Sequence, residues 1–89
     1  MEILMIEDNE AVCEMMAMFF ENEGWQAAFK HDGKEGLEAF AAEDRKWDMI
    51  ILDLNLPVLS GTEVCRILRG RSDSRHVPII MLTARTTEE

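Results

Sequence analysis

The sequence has 89 residues, 47% hydrophobic and 30% charged, which fits a single small globular domain and not a disordered chain. Eighteen acids against nine bases give a net charge of −9, so the surface repels nucleic acid and anionic lipid and attracts cations and basic partners. No apolar run approaches the ~20 residues of a membrane span, the start Met1-Glu2-Ile3-Leu4-Met5 lacks the basic region of a signal peptide, and Cys13 and Cys65 form no Cys-x-x-Cys pair and read as small buried hydrophobes; these absences point to a reducing, cytoplasmic setting.

In chain order, the apolar run Ile3-Leu4-Met5-Ile6 predicts a strand that ends abruptly at Glu7-Asp8. Asn9 is a good N-cap, and Val12, Met16 and Phe19 give the buried spacing of a helix from Glu10 to Glu23, with Gly24 as its stop. Ala11, Met15 and Met18 then fall on another face, an apolar surface suited to a partner or to a small core. Trp25 to Phe29 predicts a short strand, Asp32-Gly33 a turn, and Leu37, Phe40 and Ala41 a helix from about Lys34 to Asp44.

A second continuous apolar run, Met49-Ile50-Ile51-Leu52, ends at Asp53. After a loop with Pro57, Ser60-Gly61-Thr62-Glu63 fits a capping box. Val64, Ile67 and Leu68 form the predicted buried stripe of a third helix, which Gly70 ends. Pro78-Ile79-Ile80-Met81-Leu82 is the last predicted strand and ends at Thr83. Trp25 and Trp47 read as packing residues, and His31 and His76 as solvent-facing. Arg66, Arg69, Arg71 and Arg75 read as a solvated helix end that favours positive charge.

Apolar runs without polar alternation are strands covered on both faces, and the helices between them are right-handed crossovers between parallel strands. The order β-α-β-α-β-α-β therefore predicts an α/β fold with a doubly wound parallel sheet. Such sheets bind ligands at the carboxyl ends of their strands, where Glu7, Asp8, Asp53 and Thr83 stand. Three converging carboxylates about 4 Å apart would repel by roughly 4 kcal/mol per pair at an effective dielectric near 20. A divalent cation offsets that repulsion, and hard oxygen ligands favour Mg²⁺, or Mn²⁺, over zinc. A carboxylate-held Mg²⁺ commonly serves phosphate. A carboxylate can also accept a phosphoryl group as an aspartyl phosphate, with a metal and a hydroxyl such as that of Thr83 supplying charge neutralisation and positioning.

Glu7-Asp8 after a strand, Asp53-Leu54-Asn55-Leu56-Pro57 followed by Ser60-Gly61, and Pro78-Ile79-Ile80-Met81-Leu82-Thr83-Ala84 together resemble the receiver domain of bacterial two-component response regulators. The resemblance covers essentially the whole chain. It implies a flavodoxin-like sheet of order 2-1-3-4 and a phospho-accepting module of a phosphorelay. Asp53 would accept a phosphoryl group from a sensor histidine kinase or phosphotransfer protein. Asp8, Asp53 and the carbonyl of Asn55 would hold Mg²⁺, with Glu7 acting largely through water. Thr83 would hydrogen-bond the phosphoryl group and couple it to a switch, and the positions of Asn55 and Arg85 would influence how fast the group is lost. The resemblance also implies that the first helix, with its surplus apolar residues, docks a kinase's helical bundle.

Glu7 is one methylene longer than the aspartate common in the family. The family also continues into a fifth strand ending in a lysine and a fifth helix, which this sequence, stopping at Glu89, lacks; Lys30, Lys34 and Lys46 are not at a fitting place. Impaired signalling is therefore expected, together with a homodimer formed through the exposed fourth strand or by exchange of elements. The alternative is a scaffold or dimerisation fragment that keeps the fold without receiving phosphate. An enzyme is not expected: aspartate-nucleophile phosphatases need a second aspartate where this chain has Asn55, and no Gly-rich phosphate loop or nucleophile elbow is present.

Overall fold

The computed structural model describes residues 1–42, 46–74 and 76–82. Its elements in chain order are β1 (Glu2–Ile6), α1 (Glu10–Glu23), β2 (Gln26–Lys30), α2 (Gly33–Ala41), β3 (Met49–Asp53), α3 (Gly61–Arg69), a 3₁₀ turn (Ser72–Ser74) and β4 (Ile79–Leu82). The four strands form one parallel sheet in the order β2-β1-β3-β4, the doubly wound order expected. β1 starts the sheet at its centre, and each later strand is added through a helical crossover.

The pleat sorts the side chains between two layers. Leu4 and Ile6 of β1 and Ile50 and Leu52 of β3 point to one face, where they pack with Phe40 of α2, Trp47, and Val64 and Leu68 of α3. Ile3 and Met5 of β1 and Ile51 of β3 point to the other, where Phe20 of α1 closes over them with Val12, Met16, Trp25 and Phe29 around it. Both tryptophans pack as expected, and Trp47 Nε1 also donates to the Ala39 carbonyl at 3.4 Å.

Local signals fix the helix ends. The Asn9 side chain accepts from the amides of Ala11 and Val12 at 2.9 and 3.2 Å, and Gly24 closes α1 at φ 78°, a conformation costly for other residues. Asp32 caps α2 through the Glu35 amide at 2.8 Å. Ser60 caps α3 through the Glu63 amide at 3.3 Å, the capping hydrogen bond predicted there. α2 starts one residue earlier than predicted and its helical hydrogen bonding ends at Ala41; the predicted end at Asp44 lies outside the described residues.

Two expectations need correction. Phe19 does not face the sheet: it is half exposed, and Phe20 fills that place. Val12, Met16 and Phe20 are four apart and stay on one helical face, whereas Phe19 rotates to its flank, beside the exposed Met15 and Met18. Ile67 is likewise exposed, because Val64 and Leu68, with Cys65 beside them, occupy the line of contact between α3 and the core. Arg66 and Arg69 are exposed in the last turn of α3, as expected of a basic helix end, but the arginines there also make contacts. Arg69 donates to the carbonyls of Ser74 and Val77 at 3.0 and 3.1 Å, Arg71 lies 5.5 Å from the centre of the Phe40 ring, and Arg66 pairs with Glu63. The chain reverses direction before β4 and leaves carbonyls that the Arg69 guanidinium satisfies. Arg75 lies outside the described residues.

At the other edge of the sheet, β4 pairs with β3 from Ile50↔Ile79 to Asp53↔Leu82, and Ile80 and Met81 are exposed.

Candidate phosphoryl and metal site

Strand register brings the acids together. β1 and β3 pair in parallel with Ile6 opposite Leu52, so Glu7 and Asp53 occupy the next level, side by side. They share the pleat parity of Ile3, Met5 and Ile51 and therefore project to the α1 side of the sheet. Asp8 follows directly in the turn before Asn9. A carboxylate oxygen from each of Glu7, Asp8 and Asp53 lies within 4.8 Å of the others, with Glu7 and Asp53 buried and Asp8 exposed.

Two ionised carboxylates at that separation repel by about 3 kcal/mol at an effective dielectric near 20, less where water screens them. The Glu7 carboxyl is held above its ordinary value of 4.5, first by burial, then by the charges of Asp53 and Asp8 and a hydrogen bond with Asp53; the Asn9 amide, 3.1 Å from a Glu7 carboxylate oxygen, opposes the shift. A hydrogen bond between two carboxyl groups requires a proton on one of them. A cation can take the place of that proton. The donor set is entirely hard oxygen with one open, exposed side, which fits Mg²⁺ or Mn²⁺.

The loop beyond Asp53 is packed close. The Leu54 amide donates to Leu82 at 3.0 Å and the Gly61 amide to Leu54 at 2.8 Å. A Cβ on Gly61 would collide with the Asp53 carbonyl and lie 2.7 Å from the Leu54 Cα, so glycine is required where α3 begins. Asn55 is exposed in this loop, two residues past Asp53. Val58 takes φ 71°, rare for a β-branched residue, within a tight turn where the Leu59 amide donates to Pro57 at 2.7 Å. Of the other predicted site residues, Thr83 lies outside the described residues, as do Ala84 and Arg85.

Two further side chains stand at the acidic edge. His31 is exposed, as expected, and its Nδ1 also lies 3.1 Å from the Glu7 carbonyl oxygen; the register Ile6↔Lys30 puts it level with Glu7. Cys13 is buried, as expected, and its thiol also reaches the Glu7 carbonyl, at 3.4 Å. Burial and the charges of Glu7, Glu10, Asp8 and Glu14 push that thiol's pKa up, so it stays protonated and unreactive. His31 shares the sequence position that marks Glu7, just past the carboxyl end of a strand, whereas Cys13 lies one turn into the helix that follows and reads only as a buried residue. His76 is exposed, as expected.

Comparison with known proteins gives this geometry a context. The response regulator receiver domain model matches residues 3–89. A transcriptional regulatory protein of Bacillus subtilis, YclJ, is 54% identical over 88 residues, covering 99% of this chain and 37% of that protein. The sensory transduction protein RegX3 of Mycolicibacterium smegmatis is 42% identical over 86 residues, covering 97% of this chain and 36% of that protein. The chain thus spans just over a third of the length of these curated relatives. Among solved structures, the receiver domain of a sensor histidine kinase from Pseudomonas aeruginosa superposes with a TM-score of 0.87 at 33% identity, covering 98% of this chain and 70% of that one; it carries a magnesium ion in its active site cleft. The chemotaxis response regulator CheY4 of Vibrio cholerae superposes with a TM-score of 0.87 at 30% identity, covering 97% of this chain and 70% of that one.

Proposed function

Because the chain belongs to the response regulator receiver domain family, we propose that it is a phospho-accepting module of a two-component phosphorelay. The observation that carries this reading is the convergence of Glu7, Asp8 and Asp53 at the carboxyl ends of β1 and β3. In the proposed reaction a carboxylate oxygen of Asp53 attacks the phosphorus of a phosphohistidine on a histidine kinase or phosphotransfer protein. The P–N bond breaks, its electron pair returns to the imidazole, which takes up a proton, and an acyl phosphate forms on Asp53. Asp8, Asp53 and the Asn55 carbonyl, with Glu7 through water, are the groups that would hold Mg²⁺. A divalent cation bound there supplies charge neutralisation for the phosphoryl oxygens. The Thr83 hydroxyl donates to the transferred group and links it to a conformational switch.

Further parts of the reading stand beside this one. The module accepts phosphate without turning over free phosphate esters, works in the cytoplasm, where its kinase partner acts, and makes no nucleic-acid contact itself, which the net charge of −9 supports. No described helix is long and apolar enough to cross a membrane. A second copy pairs along β4 or exchanges an element there, supported by the exposed Ile80 and Met81; light scattering that finds only monomer at high concentration counts against this.

The direct test is incubation with acetyl phosphate and Mg²⁺ followed by intact-mass measurement. The reading predicts the added mass of one phosphoryl group, lost in Asp53→Asn. No adduct with acetyl phosphate or with a phosphorylated kinase would favour a scaffold that keeps the fold.

A further inference from the structure

Beyond Ile6 the ladder ends and the turn carrying Asp8 begins. The Glu7 amide still donates to the Lys30 carbonyl at 2.9 Å, but the Glu7 carbonyl accepts from side chains instead. Two donors from different elements reach it: Cys13 Sγ, from the first turn of α1, at 3.4 Å, and His31 Nδ1, just past β2, at 3.1 Å. A carbonyl oxygen has two lone pairs and only accepts, so Nδ1 must carry the proton and both lone pairs are engaged. The Glu7 carboxylate is tied separately to the Asn9 amide. The plane of the peptide between Glu7 and Asp8 is therefore set by α1 and by the end of β2 together. Asp8 is exposed, and the direction in which it leaves the strand is inherited from that plane.

We propose that Cys13 and His31 are positioning residues for the divalent cation: they clamp the Glu7 carbonyl and thereby hold Asp8 in place beside Asp53. The proposal rests on reading Glu7, Asp8 and Asp53 as a cation site and adds the residues that pre-organise it. Groups that orient ligands from behind commonly change metal affinity by about 10–100-fold when removed. The His31 bond is the shorter, and a thiol is a weak donor, so His31 carries the larger share.

Isothermal titration with Mg²⁺ tests this on the wild type, His31→Leu, His31→Ala, His31→Asn and Cys13→Ala, with the metal-free melting temperature of each. His31→Leu and His31→Ala should bind Mg²⁺ about tenfold more weakly, and Cys13→Ala about threefold more weakly. His31→Asn, whose amide nitrogen stands near the position of Nδ1, should return to within about twofold of the wild type. A purely structural role would lower the melting temperature without moving affinity, and Asn would not rescue it. Wild-type affinity in both His31→Leu and His31→Ala overturns the clamp, as does His31→Asn binding as weakly as His31→Leu. If the wild type itself shows no saturable Mg²⁺ binding, the cation-site reading and the clamp fall together.

Discussion

The two faces of the sheet are built differently. On one, α2 and α3 close over Leu4, Ile6, Ile50 and Leu52, and glycines let the backbones approach: Gly36 lies against Ile6, Gly33 against Leu59 and Gly61 against Asp53. On the other, α1 covers Ile3, Met5 and Ile51 chiefly with Phe20, while Met15, Met18 and Phe19 stay exposed on the same helix. The acidic cluster opens on this second, looser side, yet α3 begins directly against Asp53 from the first. The tight face fixes the strand end that bears the acceptor, and the looser face leaves it reachable. Rigidity and access are thus divided between the two layers.

Substitutions on the two faces should therefore diverge. Leu68→Ala, in the fully buried line of α3, should lower unfolding free energy by about 3–4 kcal/mol, whereas Met18→Ala should change it by less than about 0.5 kcal/mol; urea denaturation of both measures the contrast, and equal effects would break it. Gly61→Ala should cost about 2–3 kcal/mol, because its Cβ meets backbone rather than a movable side chain. It should also slow acyl-phosphate formation by shifting the strand end that carries Asp53. Val58→Gly should instead stabilise by about 1 kcal/mol, since glycine carries no steric penalty at the positive φ that Val58 adopts in the β3–α3 loop; a lower melting temperature would contradict this.

The smallest effect is a pH dependence. Glu7 has a raised pKa in the folded state, so between its ordinary value of 4.5 and the raised value the folded chain binds more protons than the unfolded one. Without metal, stability should then fall as pH rises through that window. Glu7→Gln should flatten that part of the profile. Mg²⁺ binding should release protons over the same range and tighten as pH rises.

Much of this arrangement was legible in the sequence because a parallel sheet needs strands that are apolar on both faces, so the acids ending Ile3–Ile6 and Met49–Leu52 stood out. Capping chemistry at Asn9, Ser60 and Gly24 was equally local. What the pattern left open depends on rotation and on tertiary approach. Phe19 and Phe20 are adjacent and equally apolar, and only docking decides which is buried. The reach of Arg69 to Ser74 and Val77 needs the chain reversal before β4. The contact of His31 with Glu7 needs the register of β1 against β2, which no residue of either strand displays alone.

The central claim is that Glu7, Asp8 and Asp53 form one site for a divalent cation. The most direct measurement is the melting temperature of the wild type and of Asp8→Asn, with and without Mg²⁺. The wild type should gain about 1.4 kcal/mol at ten times its dissociation constant, about 6–10 °C for a domain of this size. Asp8→Asn should match or exceed the wild type without metal, since a repulsive charge is gone, and should not respond to it. Equal responses in the two proteins, or none in the wild type, would contradict the claim.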